Sequence, residues 1–228
     1  MNDLRAIPVG GVPEVRAGDD LAELLVTATS SLPLQDGDVL VVTQKVVSKA
    51  EGRTVPAADR ARATAREAKR VLRKAGEMVI AETAHGFVCA NAGVDASNVP
   101  GDDLVLLPVD PDASARRIRS RIAAATGADV AVIVSDTFGR AWRLGQTDVA
   151  IGVAGMDPFV DYRGTADDQG RTLTATRICV ADELAGTAEI VMGKSEGVCA
   201  AVIRGARIAR ERGAATQIVR PPSEDLFR

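Results

Sequence analysis

Aromatic residues are scarce in this 228-residue chain: one Trp, one Tyr and four Phe make up 3% of it. Exposed rings are too few for a surface that stacks nucleobases, and a net charge of −3 offers no positive field to a phosphate backbone. Histidine is scarcer still. With His85 alone, and with Cys89, Cys179 and Cys199 far apart and no CxxC pair, a zinc cage is excluded. The cysteines sit in apolar company and read as small buried hydrophobes of a reducing compartment. A Ser-His-Asp or Cys-His unit would have to use His85, whose neighbour Gly86 marks a turn between short strands. Any metal would therefore rest on carboxylate, hydroxyl, carbonyl and water oxygens, a set that suits magnesium or manganese. "MNDLRAIPVGGVPEV" lacks the basic and apolar regions of a leader, and no apolar run is long enough to span a bilayer. The expectation is a soluble, cytoplasmic protein with no membrane or nucleic-acid partner. Neither GxxxxGKS/T nor GxGxxG occurs, so a nucleotide would be held without either glycine loop.

What is present is globular: 46% hydrophobic and 26% charged residues, enough for one large domain or two small ones closely joined. Spacing predicts a helix over 18–32, with Leu21, Leu24, Leu25 and Ala28 on one face and Asp19 or Asp20 as N-cap. A buried strand is expected at 39–43, and a helix over the charged, alanine-rich run 56–75, whose arginines read as a solvated face. Strands are expected at 78–82, 87–90, 104–108, 129–137, 147–154 and 197–205. Helices are expected at 112–127, capped by Asp112 and stopped by Gly127, and at 178–193. No regular βαβ rhythm emerges, which favours an α+β or irregular α/β fold over a Rossmann fold.

Three polar clusters stand out. "TQKVVSK" (43–49) sets Gln44, Lys45, Ser48 and Lys49 just after a strand, where open sheets bind ligands and lysines neutralise phosphates; two exposed lysines on a surface loop would look the same. "AGVDASN" (92–98) offers Asp95 as an anionic metal ligand with Ser97 and Asn98 beside it, and is also the composition of an ordinary Asx turn. "SDTFGRAWRLGQTDVAIG" (135–152) places Asp136 and Thr137 just past a strand, a carboxylate beside a hydroxyl that suits a hard divalent ion. Arg140 and Arg143 present two guanidinium forks for carboxylates or phosphates, and Trp142 reads as a packing anchor or a stacking plate. Residue chemistry reaches a magnesium-type, phosphate-handling site built from three distant segments.

At those clusters the chain resembles the coenzyme F-420-0:γ-glutamyl ligase family. The matching stretches are "IPVGGVPEVRAGDDL", "DVLVVTQKVVSKAEGR", "AGVDASNV", "LLPVDPDASA", "SDTFGRAWRLGQTDVAIGVAGM" and "VADELAGTAEIVMGK…VIRG", in order from residue 7 to 205. The resemblance implies an α+β fold with mixed sheets, neither Rossmann nor P-loop, and an intertwined homodimer. It implies a single ligase unit over 1–228, with two subdomains closely joined as the alternative. It also implies a reaction in which GTP and a divalent metal, two ions of Mg2+ or Mn2+, join L-glutamate to a deazaflavin precursor through an acyl phosphate. Carried over, the metal ligands fall on Asp95, Asp136 and Thr137, and the GTP contacts on Val12, Pro13, Glu14, Val15, Gln44, Lys49 and Asn98. To these the residue chemistry adds Arg140 and Arg143 as contacts for anionic groups of the acceptor or of glutamate. Two positions depart from the pattern: Gln44 replaces a small residue, and Lys194 stands where archaeal relatives tend to carry glutamine near the second metal. Residues 217–228 resemble the junction that precedes a nitroreductase-like domain in actinobacterial proteins; either the chain is a single-domain ligase or it stops at that junction. Rival readings are a metal-dependent phosphatase or kinase of a small metabolite, and a non-catalytic nucleotide-binding module.

Overall fold

Val39 to Val42 is apolar at every position because both faces of the strand it forms are covered, and all four residues are fully buried. In the computed structural model, which describes residues 3–97 and 102–226, the chain runs β1 (Arg5–Val9), α1 (Leu21–Ala28), β2 (Val39–Thr43), α2 (Gln44–Ala50), β3 (Thr54–Pro56), α3 (Arg60–Glu67), β4 (Ala68–Ala75), β5 (Met78–Thr83) and β6 (Val88–Ala90). It continues through β7 (Asp103–Val105), α4 (Pro111–Thr126), β8 (Ala131–Arg140), β9 (Arg143–Ala154), β10 (Val160–Asp161), β11 (Arg177–Ile178), α5 (Val180–Met192) and β12 (Ala200–Arg204).

The main sheet has the order β1-β12-β2-β8-β9, with β2 and β8 its one parallel pair. Alternation along the strands divides the core. Leu40, Val42, Val132 and Val134 face α1 and α4, packing with Leu25 and Ile122, whereas Val41, Ile133 and Ile203 face α5 and pack with Ala185 and Met192. Two smaller antiparallel sheets, β3-β7 and β4-β5-β6, complete the layer that carries the Asp95 loop. This is the expected mixed α+β architecture. No helix among the described residues is long and apolar enough to cross a membrane.

The expected helix over 56–75 is corrected. It ends at Glu67, and residues 68–75 instead pair antiparallel with β5 across a two-residue turn in which Gly76 adopts φ +60. The run of alanine, lysine and arginine favours a helix locally, but pairing with β5 wins, and Lys69 and Arg70 both reach the buried Glu82 from that strand. The helix cap is also corrected: Asp110, not Asp112, receives the Ala113 N–H at 2.8 Å. Asp112 is buried instead and accepts N–H bonds from Val153 (2.8 Å), Ala215 (2.7 Å) and Thr216 (3.3 Å), tying α4 to β9 and to the C-terminal segment. Beside it Gly152 is obligatory, since a β-carbon there would overlap the carbonyl of Pro111. Asp112→Ala strands two buried donors and one partly buried one at once and is expected to destabilise the fold by about 3–5 kcal/mol, read as a lowered urea midpoint. An unchanged midpoint contradicts this role.

Candidate active site

The site exists because β2 stops early. At Thr43, opposite Ser135, the chain leaves the sheet and turns into α2, while β8 runs on to Arg140 paired only with β9. Asp136 and Thr137 therefore lie within the strand and not past its end, on an edge that β2 no longer covers. The gap is a cleft of about 590 Å³ at the carboxyl end of the parallel pair. Val12, Pro13, Glu14 and Val15 form one wall, Gln44, Lys45 and Lys49 of α2 another, and the turn from Gly193 to Cys199 the third.

Alternation along β8 sorts the polar groups. Ser135 and Thr137 share one face and both donate to the buried Asp148 of β9, at 3.0 and 2.6 Å; Asp148 is the cross-strand partner of Thr137. Lys194 donates to the same pair, reaching Thr137 Oγ1 at 2.7 Å and Asp148 Oδ1 at 3.0 Å. Asp136, the residue between them, alternates to the other face of the strand, and its charge interacts with Lys45 and Cys89. Burial pushes its carboxyl up to about 7; Lys45 and the Thr137 N–H pull it down, and Asp148 and Asp95 push it up further.

Lys45 joins the third segment to the cleft. Its ammonium lies 2.7 Å from Asp95 Oδ2 while its charge also acts on Asp136. Burial works against the charge of Asp95, but the Lys45 ammonium and the Ser97 N–H and hydroxyl outweigh it, holding that carboxyl below the usual range. The Asx-turn reading of this segment holds as well: the Ser97 N–H donates to Asp95 Oδ1 at 2.9 Å. Lys49, nearly buried, reaches Glu14 Oε1 at 2.7 Å. TQKVVSK is thus a helix with its lysines one turn apart over the cleft, not a surface loop.

Among the described residues no three His, Cys, Asp or Glu side chains form a metal cage. Asp95 and Asp136 are linked through Lys45, which pairs with the first and acts electrostatically on the second; two carboxylates are the protein share that a magnesium-type ion takes when substrate phosphates and water complete its shell. A second feature fits a ligand. Gln44 is buried, its Oε1 accepts from Ser48 at 2.9 Å, and its Nε2 has no partner among the described residues, at a point that borders the cleft. Such an orphan donor costs about 1–3 kcal/mol unless an acceptor arrives.

Other expected residues lie elsewhere. Arg140 and Arg143 are paired at the exposed tip of the β8–β9 hairpin, where Arg140 donates to the Leu144 carbonyl at 3.0 Å; the structure does not bring them into the cleft. Trp142 is not an anchor of this chain's own core: it sits in that turn at φ +61 and is 81% exposed. Asn98 lies outside the described residues. His85 stacks on Phe87 with Nε2 2.9 Å from the Pro108 carbonyl, a structural place. Cys199 borders the cleft, but burial pushes its thiol up to about 11, and burial raises Cys89 and Cys179 to about 12, so none is a ready nucleophile. Sequence reasoning missed Asp148, whose signal was a carboxylate inside the strand expected at 147–154, and missed the Lys45–Asp95 link, which no spacing reveals.

Comparison with known proteins adds to this geometry. The profile of the F420-0:Gamma-glutamyl ligase family matches residues 11–205. The chain is 42% identical to a protein of Methanothermobacter thermautotrophicus named coenzyme F420:L-glutamate ligase, over 97% of this chain and 98% of that one. Proteins of the same name from Methanopyrus kandleri (42% identical, 99% and 98% covered) and Archaeoglobus fulgidus (40%, 99% and 96%) are similar over the same extent.

Proposed function

The chain belongs to the F420-0:γ-glutamyl ligase family, and from that premise we propose that it is a GTP-dependent ligase joining L-glutamate to a deazaflavin precursor in coenzyme F420 biosynthesis. The observation that carries this reading is the convergence of segment 12–15, α2 and the Asp136 edge on one cleft, with Asp95 drawn in by Lys45. Lys49 and Lys45 would neutralise the triphosphate, and the Gln44 amide would donate to a nucleotide oxygen. Asp95 and Asp136 would hold a magnesium or manganese ion. When bound, the ion supplies charge that stabilises the transferring phosphoryl group.

An unactivated carboxylate oxygen is a poor leaving group. The γ-phosphoryl of GTP would pass to a carboxylate oxygen of the acceptor, releasing GDP and leaving an acyl phosphate. The amine of glutamate then attacks the carbonyl carbon and expels phosphate. Arg140 and Arg143 would meet anionic groups of the acceptor or glutamate that extend beyond the cleft. Arg143→Ala is therefore expected to raise the Michaelis constant of one of those two substrates and spare that of GTP; if neither constant moves, the assignment fails. The homodimer belongs to the same proposal, because Trp142 and Leu144, 81% and 99% exposed, are two large apolar side chains at the hairpin tip that a second copy would cover. Trp142→Ser should shift sedimentation towards the monomer, and an unchanged distribution removes the tip from that interface.

Mass spectrometry of the deazaflavin acceptor after incubation with GTP, glutamate and metal tests the reaction. A gain of one or more glutamyl units is expected. Phosphate release that ignores glutamate, with no mass gain, would point to a phosphatase instead.

A further inference from the structure

Lys194 is held in place more firmly than its half-exposed side chain suggests. Helix α5 ends at Gly193, whose φ of +61 turns the chain back, and a β-carbon there would run into the carboxylate of Glu196. The turn returns the Lys194 ammonium to the helix end and to the cleft at once: 3.5 Å from Glu189 Oε1, 3.0 Å from Asp148 Oδ1 and 2.7 Å from Thr137 Oγ1. The side chain of Asp148 is 1% exposed, and it also accepts from Ser135 and Thr137.

These contacts use up what a divalent ion would need there. The one proton of the Thr137 hydroxyl points at Asp148, and one of its lone pairs receives the ammonium. A metal ligated by that hydroxyl would lie within a few ångströms of a fixed positive charge, and the neighbouring carboxylates of Asp148 and Glu189 are already paired with that charge. We infer that the Lys194 ammonium is a resident cation that takes the place of a second divalent ion, so that the site holds one metal per protomer, on the Asp95–Asp136 side. This rests on the metal- and nucleotide-binding reading of the cleft and narrows it. Thr137 then acts as a positioning residue that carries the lysine, and the lysine faces the phosphates as a point charge that no chelator removes.

Mn2+ binding, read by electron paramagnetic resonance on the intact protein saturated with a non-hydrolysable GTP analogue, tests this without turnover. The native protein is expected to bind one Mn2+ per protomer. Lys194→Gln replaces the charge by a neutral carbonyl ligand and is expected to bind two. Lys194→Met, which supplies neither, should stay at one and weaken binding of the GTP analogue about tenfold. Two ions in the native protein, or one in Lys194→Gln, overturns the inference and leaves the cleft's role standing. No bound ion in the native protein overturns the metal reading of the cleft, and the inference with it.

Discussion

Asp136→Asn is expected to reduce glutamate ligation by about a thousandfold while making the metal-free protein more stable above neutral pH. Both effects come from one carboxylate. Asp136 is half-buried at the floor of the cleft, near the negative charges of Asp148 and Asp95, and its pKa is raised from 3.8 to about 7, chiefly by burial of the carboxyl. A carboxyl that holds its proton more tightly when folded makes the folded state bind more protons than the unfolded one between about pH 4 and 7. Stability of the metal-free protein therefore falls as pH rises through that window, and the penalty persists above it. Asparagine cannot ionise, so the variant should lose this slope and melt higher than the native protein at pH 8, with the two converging towards pH 4. The same substitution would leave the proposed cation site with one carboxylate. Melting curves across pH, set beside turnover, separate the proposed role from simple misfolding. Near-native turnover, or a variant less stable at pH 8, contradicts the assignment.

Lys49→Met is expected to raise the Michaelis constant for GTP about a hundredfold with little change in that for glutamate. The lysine projects from α2 into the cleft, with its side chain 10% exposed, and methionine keeps most of its stem and packing while deleting the charge. Its partner Glu14 is half exposed, which makes Glu14→Gln a useful contrast: the ammonium stays in place, and the GTP constant should move by less than about threefold. A reversed ranking, or an effect confined to glutamate, would move the nucleotide away from this wall of the cleft.

Much of the central sheet was legible because its strands are buried on both faces. Val39–Thr43 reads as a strand without ambiguity, and 129–137 nearly so. The Ala68–Ala75 strand was not legible, because its lysines and arginines satisfy helix preferences and only pairing with Met78–Thr83 makes them a strand. Among the site residues, the polar types of Asp136, Thr137, Lys49 and Asp95 could be recognised one by one. Their meeting could not, since it depends on where β2 stops relative to β8 and on Lys45 reaching 2.7 Å from Asp95 across the chain. Asp148 escaped notice for the same reason, and Lys194 was marked only as a departure from the family pattern: what each touches depends on a cross-strand register and a helix-end turn. Arg140 and Arg143 show the converse. Closeness in sequence to Asp136 suggested closeness in space, but a strand rises about 3.3 Å per residue and carried them out to the hairpin tip.

Crystals grown with Mn2+ and a non-hydrolysable GTP analogue offer the most direct measurement, through anomalous scattering from manganese. The expected peak lies within coordination distance of both Asp95 and Asp136, with the nucleotide phosphates between it and Lys49. A peak that contacts neither carboxylate, or a nucleotide seated outside the cleft between α2 and β8, would contradict the site described above.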